Sequence, residues 1–492
     1  MLPDRNTDGA YVIDANTLTQ NPRQEPTNER PGGPGFVEVH ELIADENVRI
    51  ERKLFRDEGV DQLCITTFDR NDTINLFAAA PAVDGLLTLT AQVNQPRYEI
   101  TLDSRSQTLV LDTQGGDDRI HIDDNVSVPV FVFSGEGNDR ILSAARTASL
   151  YTGPGDDFIW ALNGRCHIEA GAGDDDVHGY QDIHMTVYGG PGNDTISGGT
   201  GSTYIDGGDG DDHIVGGQGH NILNGARGND RIEAGPGSNV IYTGEGQDDV
   251  TRLKANDITY YSWKSSLTID HSLLLHPEHL DQFPPGELAA HTVHIEPKEL
   301  AHCGVAIQGS AQFVERVNDD LRMLLGSPTG QRLMAELEGA ALASGRPVTI
   351  HEFYPKPNGQ FIPDPASAAL PFIENDQPGR PSYGGRIWYN TTDVQPGTPS
   401  IINLFHELCH AYNHVTGTLL HGTSLDGIDG TKPRFPVNNP ELQAVGLPTA
   451  AQPFDFDRDP STPPTTTNPP AFTENGLRME LGLPPRRQYL ND

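Results

Sequence analysis

Between Gly189 and Thr251 an apolar residue returns in the eighth place of every nine, with glycine and small polar residues making the turns between. The stretch divides without gaps into seven nonapeptides: GGPGNDTIS, GGTGSTYID, GGDGDDHIV, GGQGHNILN, GARGNDRIE, AGPGSNVIY and TGEGQDDVT. That period predicts short strands wound into a parallel β-roll. Ile196, Ile205, Ile214, Leu223, Ile232, Ile241 and Val250 form the predicted inner ladder. Glycine permits the tight turns and the close stacking of successive coils.

The sixth place of the repeat separates the two edges of the roll. It reads Asp194, Thr203, Asp212, Asn221, Asp230, Asn239 and Asp248, so aspartate returns only in every second nonapeptide. One coil takes two nonapeptides, about eighteen residues, and the aspartates therefore stack on one edge. The phase continues upstream through Asp175, Asp157, Asp139 and Asp118, and the column is expected to reach back to Asp61 through strands such as LCITTF and YEITL. Carboxylates stacked one coil apart repel, and Ca2+ suits such an oxygen-rich edge. The Thr/Asn edge reads as uncharged turn caps. The repeat resembles that of RTX proteins, and calcium is expected at the eight aspartates from Asp118 to Asp248.

Past residue 251 the period changes. Residues 252–304 read as mixed strand and loop. Phe313, Val317, Leu321 and Leu324 recur at helical spacing and predict a helix over Ala311–Leu325. Ser327 and Pro328 start a second helix ahead of Leu333 and Leu337. Pro347–Tyr354 and Gly385–Asn390 read as strands. A third helix is predicted with Thr398 as N-cap, Pro399 in its first turn and Gly417 at its end, burying Ile401, Phe405, Leu408 and Tyr412. This helix carries His406-Glu407-Leu408-Cys409-His410. Histidines four apart share one face, where two imidazoles hold a Zn2+ ion and the neighbouring Glu407 acts as general base and then acid.

Composition narrows the partners. The 492 residues include 33 Lys+Arg against 69 Asp+Glu, a net charge of −36. That surface repels nucleic acid and anionic lipid and suits divalent cations. Four cysteines, Cys64, Cys166, Cys303 and Cys409, lie far apart and are expected to be buried reduced thiols. The N-terminus lacks the basic-then-apolar pattern of a Sec signal, and no run is long enough to span a membrane. The first thirty-five residues are polar and read as disordered.

Two imidazoles leave a third protein ligand to find. His414 continues the four-residue series, but eight residues along a helix is about 12 Å, whereas ligands of one zinc lie within about 4 Å of each other. It is read as a neighbour of the site or an exposed group. The HExxHxxGxxH extension is absent, since Asn413 and Thr416 hold those places. A downstream acid is expected instead: Glu441, on a short helix started by Pro440, with Asp426, Asp429, Glu474 and Glu480 as alternatives. The Pro/Thr-dense segment Pro453–Phe472 reads as an exposed loop beside the site.

The segments FVERVNDDLRMLLGSPTGQRLM, RIWYN, FHELCHAYNHVTGT, PELQAVGLP and TENGLRMELGLPPRRQY together resemble the NleD-like type III effector metallopeptidases over residues 305–489. The resemblance implies a zincin fold with one Zn2+, delivery from a bacterium into a host cell by a non-Sec route, and cleavage of host proteins, which for some relatives are signalling kinases. It implies His406, His410 and Glu441 as ligands, Glu407 as catalytic acid/base, Arg478 and Tyr489 as oxyanion-steadying groups, and Ile387–Asn390 as the edge strand that pairs with substrate. The expected architecture is multidomain: a right-handed parallel β-roll or β-helix followed by an α+β zincin-like domain, in a monomer. Its divisions are 1–35 disordered, 36–111 β-rich, 112–251 roll, 252–304 connecting and 305–492 peptidase. The alternative is a calcium-dependent adhesion roll followed by a degenerate, inactive zincin domain.

Overall fold

The computed structural model describes residues 5–489 except 8, 21, 27–35, 58, 79, 255, 262–291, 296–299, 301–302, 354–358, 365–370, 392–397, 427–434 and 458–460. The chain divides into two units, Met1–Val293 and His294–Asp492.

The first unit is a β-solenoid of about 8 turns in the repeat region. Among the described residues its strands fall in two sheets, and from Gln107 to Tyr261 each pairs parallel with the strand one coil away. The predicted inner ladder is fully buried: Ile196, Ile205, Ile214, Leu223, Ile232, Ile241 and Val250 are each 0% exposed. One apolar side chain per short strand is enough because its neighbours lie directly above and below in register.

The N-terminal end is closed differently. Phe36–Ala44, Arg49–Phe55 and Val60–Thr66 form an antiparallel meander on one sheet, and Thr73–Ala78, Leu86–Val93 and Arg97–Asp103 form one on the other. These hairpins cap the apolar column that an open coil would leave exposed. The expectation of disorder over 1–35 needs correction. Tyr11–Asp14 pairs parallel with Arg97–Asp103, burying Tyr11 and Ile13, and Arg23–Pro26 pairs with Phe36–Ala44. A four-residue strand with two inward side chains is too short to stand out from polar flanks. Residues 27–35 and most of 252–304 lie outside the described residues.

The second unit is a smaller α+β region. Its elements are β1 (Val305–Gln308), α1 (Ala311–Leu325), α2 (Pro328–Ser344), β2 (Val348–Glu352), β3 (Gln360–Pro363), β4 (Gly385–Tyr389), α3 (Ile401–Thr416), β5 (Thr423–Asp426), β6 (Phe435–Asn438), α4 (Asn439–Val445) and α5 (Glu474–Glu480). The sheet order is β1-β2-β4-β3, parallel except for β3, which runs antiparallel to β4 along the edge. Gly385–Tyr389 is therefore an inner strand, and the expectation that Ile387–Asn390 forms the substrate-pairing edge is overturned. β3 went unread because four residues ending in Pro363 give almost no period-2 signal.

Ser310 and Ser327 cap α1 and α2 through their hydroxyls, accepting from Phe313 N and Gly330 N. α3 begins at Ile401 with Ser400, not Thr398, at its N-cap position, and Gly417 ends it in the left-handed conformation at φ 72. Beneath its start lies a buried network: Arg316 contacts Asp320 at 2.7 Å and Ser400 Oγ at 3.3 Å, and the Tyr389 hydroxyl donates to Asp320 at 2.9 Å. Two elements, α1 and β4, are thereby tied to the end of α3 that precedes the histidines. All four cysteines are free and buried. Among the described residues no helix is long and apolar enough to cross a membrane.

Candidate functional site

The apolar stripe of α3, with Ile401, Phe405 and Leu408 at 0% exposure, fixes which face turns inward. The adjoining face presents His406 and His410 one turn apart. Their Nε2 atoms stand 3.1 Å from each other, with the rings nearly perpendicular at 81°. Glu441 Oε2 lies 3.2 Å from His410 Nε2 and 3.5 Å from His406 Nε2. Among the described residues, these three form the group whose ligand atoms all lie within 4.8 Å of one another, a possible metal site.

Glu441 reaches this point because Pro440 stands in the first turn of α4 and Gly446 closes it at φ 92, so the acid falls on the turn nearest α3. Buried amides lock α4 to α3. Asn413 and Asn468 exchange side-chain hydrogen bonds at 2.8 and 3.0 Å, and Gln443 Nε2 donates to Asn468 Oδ1 and to the Thr418 carbonyl. Asn413 occupies the place where the longer histidine motif has glycine, and here it is a structural tie.

A second carboxylate addresses the cluster from behind. Glu474, at the start of α5, lies 3.1 Å from His406 Nδ1 and is held by Arg478 at 3.4 Å and Arg486 at 3.1 Å. It accepts on the side of the ring away from Glu441, which leaves Nε2 facing the cluster. Burial disfavours the charged imidazole, yet the hydrogen bonds to Glu441 and Glu474 raise the His406 pKa to about 10. Burial likewise works against the Glu441 carboxylate, but His406 and His410 hold it well below the usual range.

Of the other sequence candidates, the Tyr489 hydroxyl donates to Glu441 Oε2 at 3.0 Å, so it stands at the cluster. Arg478 engages the Pro484 carbonyl and Glu474, on the far side of His406. Those contacts put Arg478 next to the acid that supports His406. Asp426 Oδ2 accepts from the Tyr489 backbone N–H, and Glu480 accepts from Thr329 N, so neither belongs to the cluster; Asp429 lies outside the described residues. His414 packs its ring 5.0 Å from Phe361, and burial pushes its pKa down to about 4. Asn413, Gln443 and Asn468 were not identified from the sequence, and amides scattered over fifty-five positions carry no motif.

The acidic edge of the solenoid is a pair of ladders. From Asp72 to Asp230 the backbone N–H of each sixth-place aspartate donates to Oδ1 of the aspartate one coil further on, at 2.7 to 3.1 Å. Residues in the fifth place make an outer ladder of opposite sense: Asp117 N donates back to Asn71, Asn138 N to Asp117, and so on to Gln247 N and Asn229. The column begins at Asp72. Asp61 lies on a strand and pairs with Arg52 at 2.7 Å, so the expected extension to Asp61 is corrected. Asn71-Asp72-Thr73-Ile74 repeats Asn193-Asp194-Thr195-Ile196, a signal present in the sequence.

The aspartates are buried rather than solvated at an open edge. Oδ2 of Asp175, Asp194, Asp212 and Asp230 has no hydrogen-bond partner. Burial, together with neighbouring carboxylates, pushes Asp175 and Asp212 up to about 9 and Asp230 to about 8. A Cβ at Gly189 or Gly207 would stand 2.2 or 2.3 Å from Oδ2 of the following aspartate, a physical reason for glycine in the first place. In the upstream coils Thr113, Ser134 and Thr152 hold that place, and their hydroxyls donate to the carbonyls of Ser134, Thr152 and Ala170 one coil on, while Oδ2 of Asp118, Asp139 and Asp157 also has no hydrogen-bond partner. On the opposite edge Asn221 donates to Asn239 Oδ1 at 2.8 Å, a neutral ladder.

The C-terminal unit thus brings a helix-borne histidine pair and a carboxylate together as a group able to hold a metal ion, and the unit before it in sequence carries a glycine–aspartate repeat. Residues 302–489 match the Peptidase_M91 family, described as effector protein. Residues 151–182, 188–223, 215–250 and 224–258 match four copies of the RTX calcium-binding nonapeptide repeat. The chain carries a Peptidase_M91 effector domain preceded by RTX repeats. No curated protein and no solved structure matches it. The repeats imply calcium binding, and the orphaned, buried oxygens of the strict coils fit a hard cation that takes only oxygen ligands.

Proposed function

We propose that the C-terminal unit is a zinc endopeptidase with a zincin-like fold, and that the whole chain is a secreted effector acting on a host protein. The observation that carries this is the convergence of Glu441 Oε2 from α4 on His406 Nε2 and His410 Nε2 of α3, the helix that also carries Glu407. Two imidazoles and one carboxylate are the donor set of a catalytic zinc site with a position left open. Zinc held there supplies a Lewis acid that brings the pKa of water toward neutrality. Glu407 takes the proton from the attacking water and returns it to the leaving amine. Tyr489, whose hydroxyl donates to Glu441 Oε2 in the free protein, turns that donor to the carbonyl oxygen as it gains charge in this reading. Glu474, backed by Arg478 and Arg486, is a positioning residue for His406. An extended substrate main chain adds to the free edge of β3, the strand nearest Glu407.

Calcium in the strict coils, at Asp175, Asp194, Asp212 and Asp230 with Asp157 and Asp248 at their ends, couples the roll's stability to its surroundings. Asp118 and Asp139 lie upstream of the matched repeats and are weaker sites in this reading. Without calcium the roll is loosened, which suits export by a non-Sec route, and binding afterwards stabilises it. Glu441 beside both histidines supports this reading over an adhesion roll followed by a degenerate, inactive zincin domain.

The test is mapping of new protein N-termini in host-cell lysate treated with wild type or Glu407→Ala. Termini that appear with wild type alone support the reading, and identical sets in both samples refute it.

A further inference from the structure

Glu407 already has a partner. Its Oε2 accepts the backbone N–H of Phe361 at 2.6 Å, a donor on β3. The chain runs tight against the acid, since a Cβ at Gly359 would stand 2.6 Å from Glu407 Cγ. In an antiparallel pair, the N–H and C=O of alternate residues leave a strand on the same side. Gln360 and Ile362 lie in register with Trp388 and Arg386 of β4, while the Phe361 N–H turns to α3. That is the side from which an incoming strand would pair.

We infer that Glu407 and the substrate's main chain compete for the Phe361 N–H, so that the acid is released for chemistry only when β3 is paired. This rests on the peptidase reading and adds a coupling to it. A donor at a part-buried edge does not stay empty; in the free protein the carboxylate fills it. A carbonyl of an extended peptide that takes the N–H exchanges one hydrogen bond for another and leaves Glu407 Oε2 open beside His406 and His410. A small ligand that reaches the cluster without lying along β3 leaves the acid latched. The device favours extended polypeptide over short or compact substrates.

The experiment is a double-mutant cycle read by binding, with β-casein as an unfolded polypeptide probe and phenanthroline present to prevent cleavage. Glu407→Ala removes the competitor, and affinity for the probe should rise about tenfold, the scale of one hydrogen bond. Phe361→Ala keeps the N–H and should preserve that gain. Phe361→Pro removes the N–H and should abolish it, so that Glu407→Ala adds nothing in the Phe361→Pro background. Thermal melts of all variants establish that they are folded. A gain that persists in the Phe361→Pro background, or no gain when Phe361 is intact, overturns the inference. Cleavage of casein by the zinc-loaded wild type is scored separately. Cleavage with a flat cycle sinks the latch alone, whereas the expected cycle without cleavage sinks the peptidase reading alone.

Discussion

Glu474 Oε2 lies 3.1 Å from Nδ1 of His406, on the opposite side of the ring from Glu441. An acid in that position fixes the tautomer and the ring angle of a ligand without touching the ion. Glu474→Gln keeps the shape but weakens the acceptor. Zinc affinity, measured by competition with a chromophoric chelator, should fall about 10- to 100-fold while the far-UV spectrum is unchanged. Unaltered affinity would mean that the contact is only structural.

The amide tie among Asn413, Asn468 and Gln443 makes a second prediction. Asn468→Ala takes one hydrogen bond from Gln443 and two from Asn413, whose buried side-chain oxygen loses its donor, at a cost of about 1–3 kcal/mol for an unsatisfied group. It also frees α4, which carries Glu441. Chemical unfolding should show the loss of stability, and zinc affinity should drop with it. A variant that is destabilised yet binds zinc normally would uncouple α4 from the cluster.

The acidic edge predicts an unusual pH response. Burial raises Asp175, Asp212 and Asp230 to about 9, 9 and 8, so folding without metal takes up protons. Because the values are raised, their contribution is fully present below the unfolded carboxylate range near pH 4 and is lost as pH rises through about 8 to 9. In chelator the solenoid's melting temperature should fall by about 5 °C or more between pH 5 and pH 9. Calcium should raise the pH 9 value and flatten the profile. A metal-free melting temperature that increases with pH would contradict the buried-carboxylate account.

The solenoid was readable because its information is local and repeated: Ile196 to Val250 each state the same instruction nine residues apart. The helix ends that Ser327, Pro328 and Gly417 mark were readable for the same reason. What escaped the sequence is non-local. Glu441 was chosen among several acids by the helix-starting Pro440, but the burial of Glu474 behind His406 depends on a chain reversal at residues 481–489. The edge position of β3 depends on strand order rather than on its own four residues. The ladders on the acidic edge were half visible: the column of aspartates was plain, and its hydrogen-bonded burial was not, because stacking energy between coils leaves no trace in composition.

Metal content tests the central claim most directly. Purified chain loaded with zinc and dialysed should retain close to one zinc per molecule by elemental analysis, and Glu441→Ala or His410→Ala should retain little or none. Wild type that loses its zinc as readily as these variants would contradict the account.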